Sequence, residues 1–285
     1  MKEFFLSLKV VWRKLKRDRS AMVGLCVAIG LVCTALISVY VAPFDRVIQQ
    51  DLPKALQPPS AEHWFGTDYL GRDVFLRILY GSRISLVVGI VVVGIGMSIG
   101  LLLGTSAGYF GGWWDAVVMR LTDIMLAFPF LLLAIALTAV LGKPSLTNTI
   151  LALGVASFPS YTRLVRGNVL SLREESYVDA ARVCGASHNR IMWRHLMPNL
   201  MGTLIVYGTL RISTAILAEA GLSYLGLGAQ LPTPTWGNML SDGRDFIIFF
   251  EWLPLFPGLA ILLTVAGFNL LGDGLRDALD PKTRR

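Results

Sequence analysis

Chemistry needs titratable or nucleophilic side chains within reach of one another, and this chain spaces few of them that way. His188 and His195 stand seven apart with no third ligand nearby, so they read as solvated or partner-facing rather than as metal ligands. Asp115 and Asp123 are eight apart at the edge of an apolar run, without a nucleophile–base arrangement. The carboxylates of 43–83 read as solvated loop acids. No Gly-x-x-x-x-Gly-Lys-Ser/Thr loop occurs, so any ATP that drives this protein is hydrolysed by another chain. Cys26 and Cys33 fall inside an apolar run and Cys184 inside a polar island, which indicates no disulfide framework. The sequence therefore offers no catalytic residue and no metal site, and a non-enzymatic role follows. What remains is the polar island itself, residues 174–199, set between two long apolar runs.

In that island Glu174 and Glu175 open a helix, as acids do in a first turn. Tyr177, Val178, Ala181 and Cys184 recur at helical spacing, and Gly185 breaks the pattern as a C-terminal cap would. Ser187 can cap a second short helix in which Ile191, Met192, His195 and Leu196 share a face, with Pro198 ending the unit. The pattern predicts a helix–Gly–helix elbow outside the membrane, and by itself is also that of an ordinary amphipathic loop.

The elements that must position this elbow are membrane spans. Hydrophobic residues make up 54% of the 285 and charged residues 16%, too apolar for a soluble domain of this length. Residues 1–20 form a basic cytoplasmic segment, and 21–42 a first span too long for a cleaved signal peptide. A polar extracytoplasmic loop, 43–83, follows. The core, 84–285, holds five further spans at about 84–109, 116–141, 146–161, 200–222 and 255–271. In the second, Gly96, Gly100, Gly104 and Gly108 form a stripe for close helix packing. In the third, Phe128-Pro129-Phe130 predicts a kink, and Arg120 and Asp123 can pair or snorkel near its start. The fourth is short, interrupted by Pro159, and leads through Arg163, Arg166 and Arg173 into the elbow, loop 166–199. The fifth carries Arg211 and Glu219. A charge at mid-membrane costs about 2.5–3.5 kcal/mol on insertion scales, so each needs a wet or paired environment. The two are about 80° apart around the helix. Either they line a substrate path, or each pairs with a neighbouring helix. Residues 223–253 make a long outer loop.

The net charge of +7 raises nucleic acid as a partner, but no aromatic-and-basic recognition module accompanies it. Topology accounts for it better. With six spans and both termini inside, 18 of the 26 Lys and Arg fall in inner segments, seven in outer ones, and Arg211 within a span. Five of the outer seven lie in the long loop 43–83. A lone secondary transporter would call for an inverted repeat or a proton relay, and Glu219 alone is a thin relay.

Asp179-Ala180-Ala181, three residues, Gly185, and Pro198 thirteen residues on resemble the EAA loop of binding-protein-dependent ABC importer permeases. That loop has Glu-Ala-Ala, a fixed glycine and an Ile-x-Leu-Pro ending. Here Asp179 replaces the glutamate, His195 stands at the isoleucine and Met197 at the leucine, while the alanines, glycine and proline match. Phe65-Gly66-Thr67-Asp68-Tyr69-Leu70-Gly71-Arg72-Asp73, Ala107-Gly108-Tyr109-Phe110-Gly111-Gly112, Leu225-Gly226-Leu227-Gly228-Ala229-Gln230 and the Phe268–Pro281 stretch resemble the C-type permease subunit of dipeptide, oligopeptide, glutathione and nickel importers. The resemblance implies an all-α membrane protein of the type I importer class in a bacterial or archaeal inner membrane. It implies a homologous permease partner, two ATPase subunits that hold the ATP and Mg, and an extracytoplasmic binding protein, with peptide cargo or, alternatively, nickel or another small solute. It assigns ATPase coupling to Asp179, Ala180, Ala181, Arg182, Gly185, Arg190, Arg194 and Pro198.

Overall fold

The computed structural model describes residues 12–279. Lys2 and Lys9 of the basic leader, and Asp280, Pro281, Lys282, Arg284 and Arg285 of the tail, lie outside them. The described residues form helices and loops, with a single isolated bridge between Thr67 and Asp73.

Helix α1, Arg19–Val41, starts where Asp18 accepts the Ser20 and Ala21 N–H groups at 2.9 and 3.3 Å. A short helix, α2 (Phe44–Ile48), and a 3₁₀ turn, Leu52–Lys54, follow. Helix α3 runs Val74–Phe110. Its start corrects the expectation of a loop to residue 83. Asp73 caps it by accepting the Leu76 N–H at 3.0 Å, and the polar-looking first turns bury Val74, Arg77, Ile78, Gly81 and Ser82. At 1.5 Å per residue the helix is about 55 Å long, well beyond an apolar layer of about 30 Å.

The third apolar run breaks at Phe128-Pro129-Phe130, the site of the expected kink. It forms α4 (Gly112–Leu126) and α5 (Phe130–Val140), bent by 97°. Proline disfavours α geometry at the preceding residue, and the helix stops short of Phe128 and Pro129. The fourth run departs from expectation. Helix α6, Leu146–Leu172, continues through a buried Pro159 and reaches the elbow unbroken. Helices α7 (Ser176–Val183) and α8 (His188–Ile191) make the elbow. A π turn, Met192–Leu196, then leads directly into α9, Met197–Tyr224. Pro198 therefore does not end the unit. A proline clashes with the carbonyl four residues back, and the wider π turn before it relieves that clash while Met197 N–H bonds to Met192 C=O. The outer loop 223–253 also holds structure: α10 (Trp236–Arg244) opens on a capping box of Thr235 and Asn238. Helix α11, Trp252–Leu279, carries the polar tail on to its last described residue.

Helices α1, α3, α9 with its lead-in from His188, and α11 are long and apolar enough to cross a membrane, and α4 with α5 counts as a fifth if the bent pair is one span. Helix α6 is more polar and is held inside the bundle against α3. A Cβ on Gly96 would lie 2.1 Å from Ser157 Oγ, on Gly100 2.3 Å from Tyr161 Cβ, on Gly104 2.6 Å from the Thr162 carbonyl, and on Gly108 2.9 Å from Val169 Cβ. The stripe of glycines thus lets the α6 backbone settle directly on α3. A second close pair joins α1 to α11, where a Cβ on Gly24 would meet Leu271 N at 2.4 Å and one on Gly274 would meet Ala21 Cβ at 2.2 Å. The latter contact puts the start of α1 beside the end of α11. Arg276 and Leu279 line a groove with Asn199, so both ends of the described residues sit at the elbow end.

Gly100→Leu should drive α3 and α6 apart and lower the thermal midpoint of the detergent-purified protein by several degrees, since overpacking a tight contact costs about 1–3 kcal/mol. Gly94→Ala, where an added Cβ meets nothing within 4 Å, should leave the midpoint in place. Equal midpoints for the two variants would show that the contact does not hold the helices together.

Candidate functional site

The elbow closes on local chemistry. Gly185 has φ +75°, Ala186 N–H bonds to Ala181 C=O at 3.0 Å, and Gly185 N–H bonds to Arg182 C=O at 2.9 Å. This paired arrangement is a Schellman cap, and its left-handed residue is glycine because a Cβ there is strained. Ser187 starts the second helix by accepting the Arg190 N–H at 3.4 Å.

One side of the elbow is fixed to the bundle. Val178, Ile191 and Leu196 are buried with Val165, Val169 and Tyr109. His188, read from sequence as solvated or partner-facing, shares a 2.9 Å hydrogen bond between its Nδ1 and Tyr109 Oη at the end of α3. Asn199 donates to the His195 carbonyl at 2.7 Å and to Tyr177 Oη at 3.3 Å, tying α9 to α7. The other side is open. Asp179, Ala180, Arg182, Gly185, Arg190, Arg194 and Pro198 are exposed, as are Val183 (89%) and Trp193 (58%), while Ala181 is half-buried under α7. Tyr177 and Cys184 also face out, so the expected stripe of Tyr177, Val178, Ala181 and Cys184 is divided between two faces. Asp179 and Arg182 pair with each other at 2.9 Å.

Above the elbow, α6 and α4 are joined by charge. Arg166 binds Asp115 through two hydrogen bonds of 2.7 and 2.6 Å, and Arg163 pairs with Asp123. Of pairing and snorkelling, the two readings open for Arg120 and Asp123, the pair is not made, and α6 brings Arg163 to the carboxylate instead. Arg173 donates to the Gly108 carbonyl at 3.0 Å, where the free C=O groups of α3 attract a cation.

Between α3, α6, α9 and the α4–α5 break lies a cavity of about 70 Å³. Arg211, at the middle of α9, points into it with Ser157, Ser160 and Tyr161. The Arg211 guanidinium sits 4.7 Å over the Tyr207 ring and donates to a Tyr207 hydroxyl. Glu219 does not share that cavity. It is 1% exposed, accepts from Ser223 of its own helix at 2.5 Å, and has Thr235 as a further hydrogen-bonding neighbour. The loop after α9 and the start of α10 fold over this face, against Ala220 and Ser223, and turn the carboxylate inward. Arg211 and Glu219 thus neither share one cavity nor pair with each other.

Sequence reading missed a cluster at the far end. Asp68, taken for a solvated loop acid, is buried and accepts from Arg72 Nε at 2.7 Å, and Arg77 Nη1 lies 3.1 Å from it. Both arginines approach Asp242 of α10 at 3.7 Å. Burial pushes the Asp242 carboxyl above its ordinary range, against the pull of Arg77 and Arg72. The spacing of Asp68, Arg72 and Arg77 is the local signal available, while Asp242 is far away in sequence.

A bundle of long apolar helices is the architecture of an integral membrane protein. Residues 100–285 match the family described as binding-protein-dependent transport system inner membrane component, and 7–59 match the N-terminal transmembrane domain of oligopeptide transport permease C. The chain belongs to this family of ABC importer permeases of the inner membrane. It is 48% identical over 273 residues to the dipeptide transport system permease protein DppC of Alkalihalophilus pseudofirmus, covering 96% of this chain and 89% of that one. It is 47% identical to the glutathione transport system permease protein GsiD of Escherichia coli and of Shigella sonnei, covering 96% of this chain and 90% of each relative.

Asp68→Asn should leave two buried guanidiniums short of a counter-charge and cost about 3–5 kcal/mol, read as a much lower thermal midpoint. Glu62→Gln, which breaks an exposed pair with Lys54, should not move it. A midpoint for Asp68→Asn equal to that of the parent would mean the cluster carries no stability.

Proposed function

We propose that this chain forms half of the translocation path of an ATP-driven importer of short peptides and couples to its motor through the elbow. The observation that carries this is the two-faced elbow: Val178, Ile191 and Leu196 lock it to the bundle while Ala180, Val183, Trp193, Arg190 and Arg194 stay open. An exposed apolar patch rimmed by charge marks a protein interaction site. A small helical unit seated in a partner's groove, and rigid with its own bundle, passes on rigid-body motion. One of two ATPase subunits fits that face, and the ATP and Mg are held by those subunits. A homologous permease completes the path, and an extracytoplasmic binding protein presents the cargo.

Six spans with both termini cytoplasmic follow if α4 with α5 is a broken span and α6 crosses beside α3. Positive charge supports this orientation, with the elbow inside. Four of the five basic residues of 43–83 do not oppose it strongly. Arg72 and Arg77 are buried with Asp68, Arg83 donates to Ser38 Oγ and the Ala42 carbonyl, and Lys54 pairs with Glu62. These charges serve the fold of an outer cap. Peptide cargo is supported by the names of the dipeptide and glutathione relatives.

Reconstitution of the complete importer with its binding protein tests the reading. ATP hydrolysis should rise when dipeptide is presented. Gly185→Leu, which forces a side chain into a left-handed position, should assemble and still hydrolyse ATP yet import little. Normal uptake by a normally assembled Gly185→Leu importer, or uptake that needs no ATP, rejects the proposal.

A further inference from the structure

Three independent features converge on the cavity between α3, α6, α9 and the α4–α5 break. The first is Arg211. It lies near the middle of α9 and meets no carboxylate among the described residues, only the ring and hydroxyl of Tyr207. The second is Tyr161. It is fully buried, its ring packs edge-on against Tyr207 at 5.0 Å, its buried hydroxyl has no hydrogen-bond partner, and the residue lines the cavity. The third is the start of α5, an 11-residue helix whose first turn no side chain caps, with Phe128 and Phe130 at the cavity wall. Uncapped N–H groups and the positive end of a helix dipole attract an anion. A cation, an orphaned hydroxyl donor and a helix N-terminus suit a carboxylate, and broken helices in transporters present their half-helix N-termini to such groups.

We infer that Arg211, Tyr161 and the N-terminus of α5 form a way-station for the free carboxylate of the cargo, so that the path itself selects peptides with an ionised C-terminus. This rests on the peptide-import reading. Arg211 supplies the charge, Tyr161 a hydroxyl donor, and Tyr207 holds the guanidinium toward the cavity. Ser157 and Ser160 keep the wall polar on the α6 side.

The test uses the complete importer and compares uptake of one dipeptide with that of its C-terminal amide. The binding protein's own preference is common to all variants, so it cancels when the acid-to-amide uptake ratio is compared between variant and parent. Arg211→Gln should lower that ratio about tenfold or more, the effect of losing one charge-assisted hydrogen bond. Tyr161→Phe, which keeps the ring and its packing, should lower it several-fold, and this variant decides the matter if Arg211→Gln fails to assemble. Loss of uptake in equal proportion for acid and amide, or an unchanged ratio, overturns the inference and makes Arg211 a structural charge, for instance one paired with a carboxylate of the homologous permease. A parent importer that carries neither compound overturns the peptide reading, and this inference with it.

Discussion

The close approach of α3 and α6 governs the rest of the molecule. Four glycines one helical turn apart remove the side chains that would hold two helices at an ordinary distance, and Tyr161, Thr162, Val165 and Val169 occupy the space. Membrane helices associate mainly through such packing, because lipid supplies no hydrophobic force between them. The contact also sets the axial register of α6. In that register Arg163 and Arg166 meet the two aspartates of α4, and Arg173 reaches the end of α3. A helix too polar to cross a membrane alone is thus held within the bundle by contacts on one face and ion pairs near one end.

Register in α6 then places both the elbow and the Arg211 cavity. Its C-terminal end delivers the chain to the elbow, where Val165 and Val169 form the floor for Val178, Ile191 and Leu196. Fully burying each such side chain contributes about 1.5–3 kcal/mol, more than the caps at Ser187 or Gly185 do alone. Caps define the shape of the elbow, and burial makes it move with the bundle. Midway along the same helix, Ser157, Ser160 and Tyr161 form one wall of the Arg211 cavity. The elbow and that cavity are therefore joined by a single helix.

The opposite end is organised by a different interaction. The segment before α3 is short of apolar residues, and it is anchored by charge: Asp68 with Arg72 and Arg77, and beyond them Asp242. Trp236 adds a 3.1 Å hydrogen bond from its indole N–H to the Ile78 carbonyl, where Gly81 makes room for the ring. Phe65 stacks on Phe256 at 4.0 Å. Together these seat the outer segments on α3 and α11 and make a cap of what composition describes as loops.

Apolar runs, the glycine stripe and the caps at Ser187 and Gly185 were legible in the sequence because each depends on neighbours within a turn or two. A fold of membrane helices around a helix–Gly–helix elbow followed from them. Contacts between distant segments were not legible. Asp123 finds Arg163 forty residues away rather than Arg120 three away, and Asp115 finds Arg166. Asp68 is buried by an arginine pair and by α10, although its own neighbourhood is polar. Glu219 and Arg211 share a helix and part company because α10 covers one and the α4–α5 break opens beside the other. Pro159 and Pro198, which end helices by local rule, are carried through because packing around them, and a π turn in the second case, outweighs a missing hydrogen bond. Periodicity and capping are short-range and can be read one segment at a time. The partner of a charge is chosen only when helices far apart in the chain come to lie side by side.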